Sequence, residues 1–465
     1  MAKKLIKIGG KLLVTNKLIS HQPKPLILKM DTTKQDGGGA DDPEDDEVTL
    51  HLNSSFNYDF TVDWGDGTTQ DVTTSDNITH TYETPGEYIV KIYGVFGGLY
   101  VNSSVGRSKY MEVTQWGDLY WESLNNAFNG CENLKITATD VPNWQNVIDA
   151  EGCFWDCISL ETIPTGLFDD CTEVTTFWAC FYGCTSLETL PDGLFDNCTE
   201  VTTFVGCFYG CTSLETIPTN LFDNCTEVTS FGSCFSGCAS LTSLPTGLFD
   251  NNTEVTNFTY CFWNCTSLES LPNGLFGSTE VTDFGHCFRG CTSLETIPTG
   301  LFDNCTKVTE FDRCFQNCTS LASIPSGLFD YNTKVTTFRE CFDGCTLLDL
   351  IGITVKNWSV SNATTMIRMF RTCTGITDIP GIEDWGPFKL YSGSWTGMND
   401  MLLEVTLPTT RYSDMLINFA DKAAQFDNTG IYLHGGNSKY NTDGETARDT
   451  LTTSYGWNIT DGGPE

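Results

Sequence analysis

The residues best equipped for chemistry are the cysteines, 22 in a chain of 465 residues. Thiolates ligate metals and attack electrophiles, so their spacing decides what they can do. All lie between Cys131 and Cys373, in three columns. The first runs from Cys153 through Cys180 and Cys207 to Cys341, always just before a Phe. The second, four residues later, runs from Cys131 through Cys157 and Cys184 to Cys373. The third holds Cys171, Cys198, Cys225 and Cys305, with Asn252, Ser278 and Asn332 in equivalent places. Zinc needs about four convergent ligands. Each recurrence offers two or three, His is almost absent, and Ala127 and Met369 replace the first-column thiol. A disulfide within Cys-x-x-x-Cys is geometrically open on one helical turn. Free thiols buried as small hydrophobes fit the columns best. No His recurs beside them, so none is read as a nucleophile.

The carboxylates also form columns: Asp169, Asp196, Asp223, Asp250, Asp303 and Asp330, and Glu173, Glu200, Glu227, Glu254 and Glu280, the latter switching to Lys307 and Lys334. The Asp column is expected to cap turns, with a calcium ladder as the sharper alternative; the Glu column reads as a solvated face. Glycoside hydrolysis needs one distinctive pair of acids, and repetition supplies none. The positions the repeat leaves free are more informative. After Cys-Phe come Trp155, Tyr182, Tyr209, Trp263 and Arg289, and two residues before it comes Trp178. Aromatic side chains there can stack on sugars or anchor protein contacts, or pack laterally between neighbouring turns. These six residues are the expected binding face. No catalytic, metal-binding or cofactor-binding residue is expected, and no cofactor.

What must position them is a repeat. Anchored on Ala127, Cys153, Cys180, Cys207, Cys234, Cys261, Cys287, Cys314, Cys341 and Met369, the steps are 26 to 28 residues, the mark of a stacked array. One unit buries too few apolar side chains to offset the entropy of ordering it, so units must stack. Ser186–Pro191 alternates as a short strand, and ten such strands would form a parallel sheet. Val174, Phe177, Phe181 and Cys184 recur every three to four residues, which predicts a helical turn opposite.

Composition bounds the rest. With 60 acidic and 25 basic residues, a formal charge of −35 excludes nucleic-acid binding and disfavours an anionic membrane surface. No apolar run is long enough to span a bilayer, so no membrane insertion is expected. The opening MAKKLIKIGGKLLVTNKLIS lacks a continuous apolar core and shows no secretory signal, which points to folding in a reducing cytoplasm and argues against disulfides. Its apolar residues alternate around Gly9 and Gly10 as a hairpin, and Lys3, Lys4, Leu5, Ile6, Ile8, Leu12 and Leu13 are read as attachment residues. The expected organisation is a docking segment at 1–30, an acidic flexible linker at 31–47, a β-sandwich at 48–115, repeats at 116–380, and a capping region at 381–465. In that last region Tyr412–Ala424, with Ser413 as its cap, and Glu445–Ser454 read as helices, and His434 reads as a turn residue.

Trp64-Gly65-Asp66-Gly67, His80-Thr81-Tyr82 and Pro85-Gly86-Glu87-Tyr88 together resemble the PKD family of Ig-like sandwiches, which implies a structural role for His80. The repeat resembles BspA-type leucine-rich repeats, whose usual methionines survive in Thr365-Met366-Ile367-Arg368-Met369-Phe370. The fold class is therefore mainly β with short helices: a sandwich, a right-handed leucine-rich-repeat solenoid of about ten units, and an α/β C-terminal cap. The resemblance implies a non-enzymatic recognition or adhesion protein. The opening MAKKLIKIGGKLL resembles those of structural proteins of crAss-like gut phages, and the endings LHGGNSKY and YGWNITDGG resemble tails of similar repeat proteins of gut bacteria and their phages. The expected function is thus a virion structural protein of a tailed phage (head fibre, tail fibre or decoration protein). It would be assembled in the host cytoplasm, held to other virion proteins through the N-terminus, and would bind a host-surface glycan or protein through the repeats. The alternative is a bacterial cell-surface adhesin. No heptad stretch demands a homo-oligomer, and nothing excludes one.

Overall fold

The computed structural model describes residues 6–8, 11–13, 23–36, 46–102, 104–386, 389–390, 397–426 and 428–465. β1 (Ile6–Ile8) and β2 (Lys11–Leu13) pair antiparallel, Ile6 opposite Leu13, giving the hairpin expected around the two glycines. Next come β3 (Leu26–Asp31), β4 (Glu47–Leu50), β5 (Asp59–Asp63), β6 (Thr69–Val72), β7 (Ile78–Thr81), β8 (Glu87–Val95), β9 (Tyr110–Gln115) and β10 (Lys135–Ile136). One sheet has the order β10-β9-β3-β8-β5-β6, and β4 pairs with β7 separately. Alternate residues such as Phe60, Val62, Val90 and Ile92 turn into the core, as the period of two requires.

This corrects two boundaries. β3 lies in mid-sheet between β8 and β9, with Leu26, Leu28 and Met30 buried. It therefore belongs to the sandwich and not to a docking segment ending at residue 30. The expected linker at 31–47 is shorter too. Asp31 and Thr32 are buried, and Asp36 accepts the Ser108 amide at 2.8 Å. Residues 37–45 of the linker lie outside the described residues. The cause is pairing partners far along the chain, which local composition does not reveal.

The WGDG corner is structural. His80 stacks on Trp64 at 4.7 Å and reaches the Asp66 carboxylate at 2.8 Å, while the Tyr82 hydroxyl donates to the Trp64 carbonyl at 3.0 Å. Burial opposes it, but hydrogen bonds from the Thr68 hydroxyl and the His80 ring bring the Asp66 carboxyl down to about 2.

From Tyr120 onward the units bond to one another through parallel bridges: Asp149 to Thr176, Thr176 to Thr203, Thr203 to Ser230, and so on to Thr365 with Gly397. The continuous ladder thus lies on the Val-Thr-x-Phe segment, where a helical turn was expected. The Ser-Leu-Glu segment, expected to be the strand, is bridged at Thr162–Thr189, Ser243–Ser270 and Thr296–Ser323, and its amides bond from coil to coil, as Glu188 to Glu161, Glu215 to Glu188 and Ala322 to Glu295. The backbone explains why the other segment is no helical turn. Ala179 (φ 51°) and Gly183 (φ 71°) are left-handed and four residues apart, a pattern repeated at Gly206 and Gly210 and at Tyr260 and Asn264. Such residues interrupt a helix at every turn. Alternate amides instead leave the coil: those of Phe177, Ala179, Phe181 and Gly183 donate to Thr203, Val205, Cys207 and Tyr209 carbonyls in the next one. Those of Cys180, Tyr182 and Cys184 close local turns.

Two threonine ladders add side-chain bonds between coils, such as the Thr202 hydroxyl to the Thr175 carbonyl and the Thr212 hydroxyl to the Thr185 carbonyl, 3.1 and 3.2 Å. Phenylalanines stack inside in columns. Phe181 and Phe208 lie 5.5 Å apart with parallel rings, Phe177 and Phe204 5.6 Å, and Phe195 and Phe222 6.1 Å.

The first coil is fused to the sandwich: β10 pairs with β9, and Trp116 packs edge-on against Trp121 and Trp144. At the other end the ladder outlasts the expected limit at residue 380. Met366, Arg368 and Phe370 amides donate to Gly397, Asn399 and Met401, and Met398 donates to Tyr432. The closing elements are α1 (Thr409–Phe426), β11 (Tyr432–His434), α2 (Thr442–Ser454) and β12 (Asn458–Thr460), with β11 and β12 parallel. α1 begins earlier than expected. Ser413 is buried inside it and accepts the Asn441 amide at 3.0 Å, so it is no cap. α2 is capped by Asn441, whose side chain accepts the Gly444 amide.

Candidate binding face on the turn side

Residues flanking Cys-Phe reach solvent in some coils, Trp178 most of all, and are buried in others, as at Ser236, Gln316 and Asp343, while the Cys and Phe are buried throughout. All 22 cysteines are free and buried. The second-column thiols donate to the Phe carbonyl of the preceding coil, Cys184 to Phe154 and Cys211 to Phe181 at 3.1 and 3.2 Å. Burial pushes up the thiols of Cys184, Cys211, Cys265 and Cys318, the last two to about 12. Such thiols are neither nucleophiles nor ligands at neutral pH. The third column shows why Cys and Asn interchange. Asn252 donates to the Phe222 and Cys225 carbonyls at 3.1 and 2.8 Å, the same kind of acceptor that Cys225 meets at Phe195. The chemistry of the columns is therefore packing and donation to carbonyls.

The Asp column does not cap turns as expected: among the described residues these carboxylates make no side-chain hydrogen bond, and an Asp330 oxygen is buried without one. Burial, then Asp250 and Asp196 on either side, raise the Asp223 carboxyl. Among the described residues no group of three or more His, Cys, Asp or Glu is arranged to hold a metal ion. The described histidines are engaged structurally. The buried His51 ring nitrogens face the Val105 carbonyl and the Asn77 amide, and His434 accepts the Gly436 amide.

The six expected face residues fall into two groups. Trp155, Trp178, Tyr182 and Tyr209 form one strip. Tyr182 is sandwiched between Trp155 at 4.6 Å and Tyr209 at 4.4 Å, and Trp178 stands edge-on to Trp155 at 5.6 Å, 38% exposed. Trp263 and Arg289 lie further along. The Arg289 guanidinium sits over the Trp263 ring at 5.9 Å. Lateral packing and an outward face are thus both realised, by the same rings.

A neighbouring column went unread from sequence: the residue just before Cys-Phe. Here Tyr260 stacks on His286 at 4.2 Å, and Arg313 and Glu340 follow. Glu340, 4% exposed, meets Arg313 at 2.7 Å, Arg339 at 3.5 Å and Arg368 at 3.6 Å, and Gln316 bridges it to Asp343, which Arg371 grips with two bonds. Burial opposes it, but the Arg313 guanidinium holds Glu340 below the usual carboxylate range. Burial, with Arg313 and Arg289 alongside, brings His286 down to about 4. The signal was present in sequence as a column that switches from Gly and Ala to Tyr, His, Arg and Glu. Of the expected attachment residues, Ile6, Ile8, Leu12 and Leu13 lie on the β1–β2 hairpin, and Lys3, Lys4 and Leu5 lie outside the described residues.

Residues 42–95 match the family model of the PKD domain, residues 122–325 that of the BspA type leucine rich repeat region in six copies, and residues 326–402 that of a Mycoplasma protein of unknown function, DUF285. No curated protein matches the chain. Among solved structures, a leucine rich cell surface protein from Faecalibacterium prausnitzii A2-165 is 17% identical, over 65% of this chain and 78% of that one, with a TM-score of 0.21. Within residues 42–402 the chain thus carries a PKD domain match followed by BspA-type leucine-rich repeats and a DUF285 segment.

Proposed function

We propose that the protein is a non-enzymatic, surface-exposed adhesion protein, with the turn side of a right-handed solenoid of about ten coils as its recognition surface. One observation carries this reading. Inner positions repeat nearly unchanged from coil to coil, while the flanking positions that stay open to solvent change from Trp155, Trp178, Tyr182 and Tyr209 to Trp263 and Arg289. Residues that the stack does not dictate are free to recognise a partner. The non-enzymatic reading is supported by the inert thiols and by the structural engagement of the described histidines.

A bacterial cell surface is the favoured location, because BspA-type repeats resemble those of surface adhesins and none of the matched families is described as a virion component. Buried free thiols favour a second reading, assembly of a phage particle in a reducing cytoplasm, with the N-terminal hairpin docking on other virion proteins. Antibody labelling of intact cells, alongside mass spectrometry of purified particles, tests both. Surface labelling without particle enrichment supports the adhesin, enrichment in particles supports the virion component, and a protein confined to the cell interior overturns both.

A further inference from the structure

We propose that the strip Trp155, Trp178, Tyr182 and Tyr209 binds a neutral carbohydrate chain. This rests on the adhesion reading and names the ligand class for one half of the face. The two halves differ in what they have left to offer. In the C-terminal half Glu340 and Asp343 are already committed to arginines and to Gln316, and Arg289 covers a face of Trp263. Most of the charges in that half are thus paired within the row, with Gln316 Oε1 and Arg339 Nε buried and, among the described residues, making no hydrogen bond.

In the N-terminal half the rings are held by one another. Trp155, Tyr182 and Tyr209 form a fixed wall, and the more exposed Trp178 is turned 64° from Trp155. An aromatic platform beside a wall of ring edges and phenol hydroxyls is what a sugar needs, since one sugar face is lined by C–H groups and its rim by hydroxyls. Because the rings already hold one another, little entropy is lost on binding.

Charge narrows the class. The charged neighbours of the strip include Glu151, two residues before Cys153 and so one coil from Trp178 at the equivalent place, with Asp149 close to it, and Asp156, next to Trp155, on which the Arg107 guanidinium also acts. Carboxylates accept hydrogen bonds from sugar hydroxyls. They repel uronates and sulfates, as does a chain of net charge −35. A protein partner would be expected to meet a broader apolar centre; Tyr331, Leu347 and Ile351 lie on other segments of the coil, and only Ile148 and Ile158 among the described large exposed apolar residues fall within three residues of Glu151 and Trp155.

The test is tryptophan fluorescence titration of the full chain. The probes are neutral gluco-, manno-, galacto- and xylo-hexaoses and a galacturonate hexamer of equal length. At least one neutral hexaose should bind and shift the emission. The galacturonate should bind roughly tenfold more weakly, a difference of about 1.4 kcal/mol. Trp178→Ala should weaken the neutral sugar by roughly tenfold or more, Trp178→Phe by less, and the control Tyr331→Ala not at all. Trp178 is exposed, so its variants are expected to fold, which circular dichroism checks. No binding by any neutral hexaose, equal binding of galacturonate, or unchanged affinity in Trp178→Ala overturns the proposal. Loss of cell-surface adhesion in Trp178→Ala with no sugar bound overturns the carbohydrate while leaving the adhesion reading intact, and points to a protein partner.

Discussion

The left-handed residues around each Cys-Phe pair make opposite predictions for substitutions that look alike. Ala179 has φ 51°, Gly183 φ 71° and Gly210 φ 70°. An L-residue in this region costs roughly 1–2 kcal/mol. Glycine avoids that cost but loses about 0.5–1 kcal/mol more chain entropy on folding. Ala179→Gly should therefore stabilise by about 0.5–1 kcal/mol. Gly210→Ala should destabilise by about the same amount, because its new Cβ would meet nothing closer than Gly183 Cα at 3.8 Å. Gly183→Ala should cost more, because there the Cβ falls 2.1 Å from an Asp156 carboxylate oxygen, which must move. The order of stability is Ala179→Gly, wild type, Gly210→Ala, Gly183→Ala. Adding Asp156→Ala to Gly183→Ala should remove the excess but keep the conformational cost. The assay is guanidinium denaturation followed by near-ultraviolet circular dichroism, which reports the aromatic stacks, with amide exchange at Cys180–Cys184 as the local readout, since long arrays depart from two-state behaviour. A destabilised Ala179→Gly would refute the backbone argument. Equal losses in the two Gly→Ala variants would refute the contact argument.

Other consequences follow from burial. Phe208 is fully buried between Phe181 and Phe235, so Phe208→Ala should cost about 3–5 kcal/mol, read from the same denaturation curves. The thiols should not react with a disulfide reagent at pH 8 in the folded protein, and all 22 should react once guanidinium unfolds it; fast labelling of the native chain would contradict the packing role. His286 sits at about 4 in the fold against 6.5 in the free side chain. Between these values the unfolded chain takes up a proton that the folded chain refuses, so the stability linked to neutral His286 is complete above pH 6.5 and lost as pH falls towards 4. His286→Gln should flatten this part of the stability–pH curve, and an unchanged curve would count against it.

Much of the fold was legible because the period is strict. Once Cys153, Cys180 and Cys207 are aligned, the inner positions identify themselves, and their burial follows. The position of the ladder was not legible. Val174, Phe177 and Phe181 have helical spacing, and only the backbone reveals that alternate amides bond to the next coil. β3 was misplaced for the same reason, since its partners at Tyr88–Ile92 and Tyr110–Gln115 are remote in sequence. On the face, the aromatic strip is legible as positions the repeat leaves free, whereas the adjoining column begins as Gly152, Ala179 and Gly206 and so reads as part of the turn.

That column shows what the strained turn tolerates. Gly152 and Gly206 occupy it with left-handed backbone, as the turn prefers. Tyr260, His286, Arg313, Glu340 and Arg368 adopt the same conformation, with φ between 53° and 59°, where glycine would fit without strain. Their side chains offset that strain within the row: Tyr260 stacks on His286, and the buried Glu340 pairs with Arg313 and Arg368. The left-handed backbone therefore persists without glycine because the surrounding contacts over-determine it.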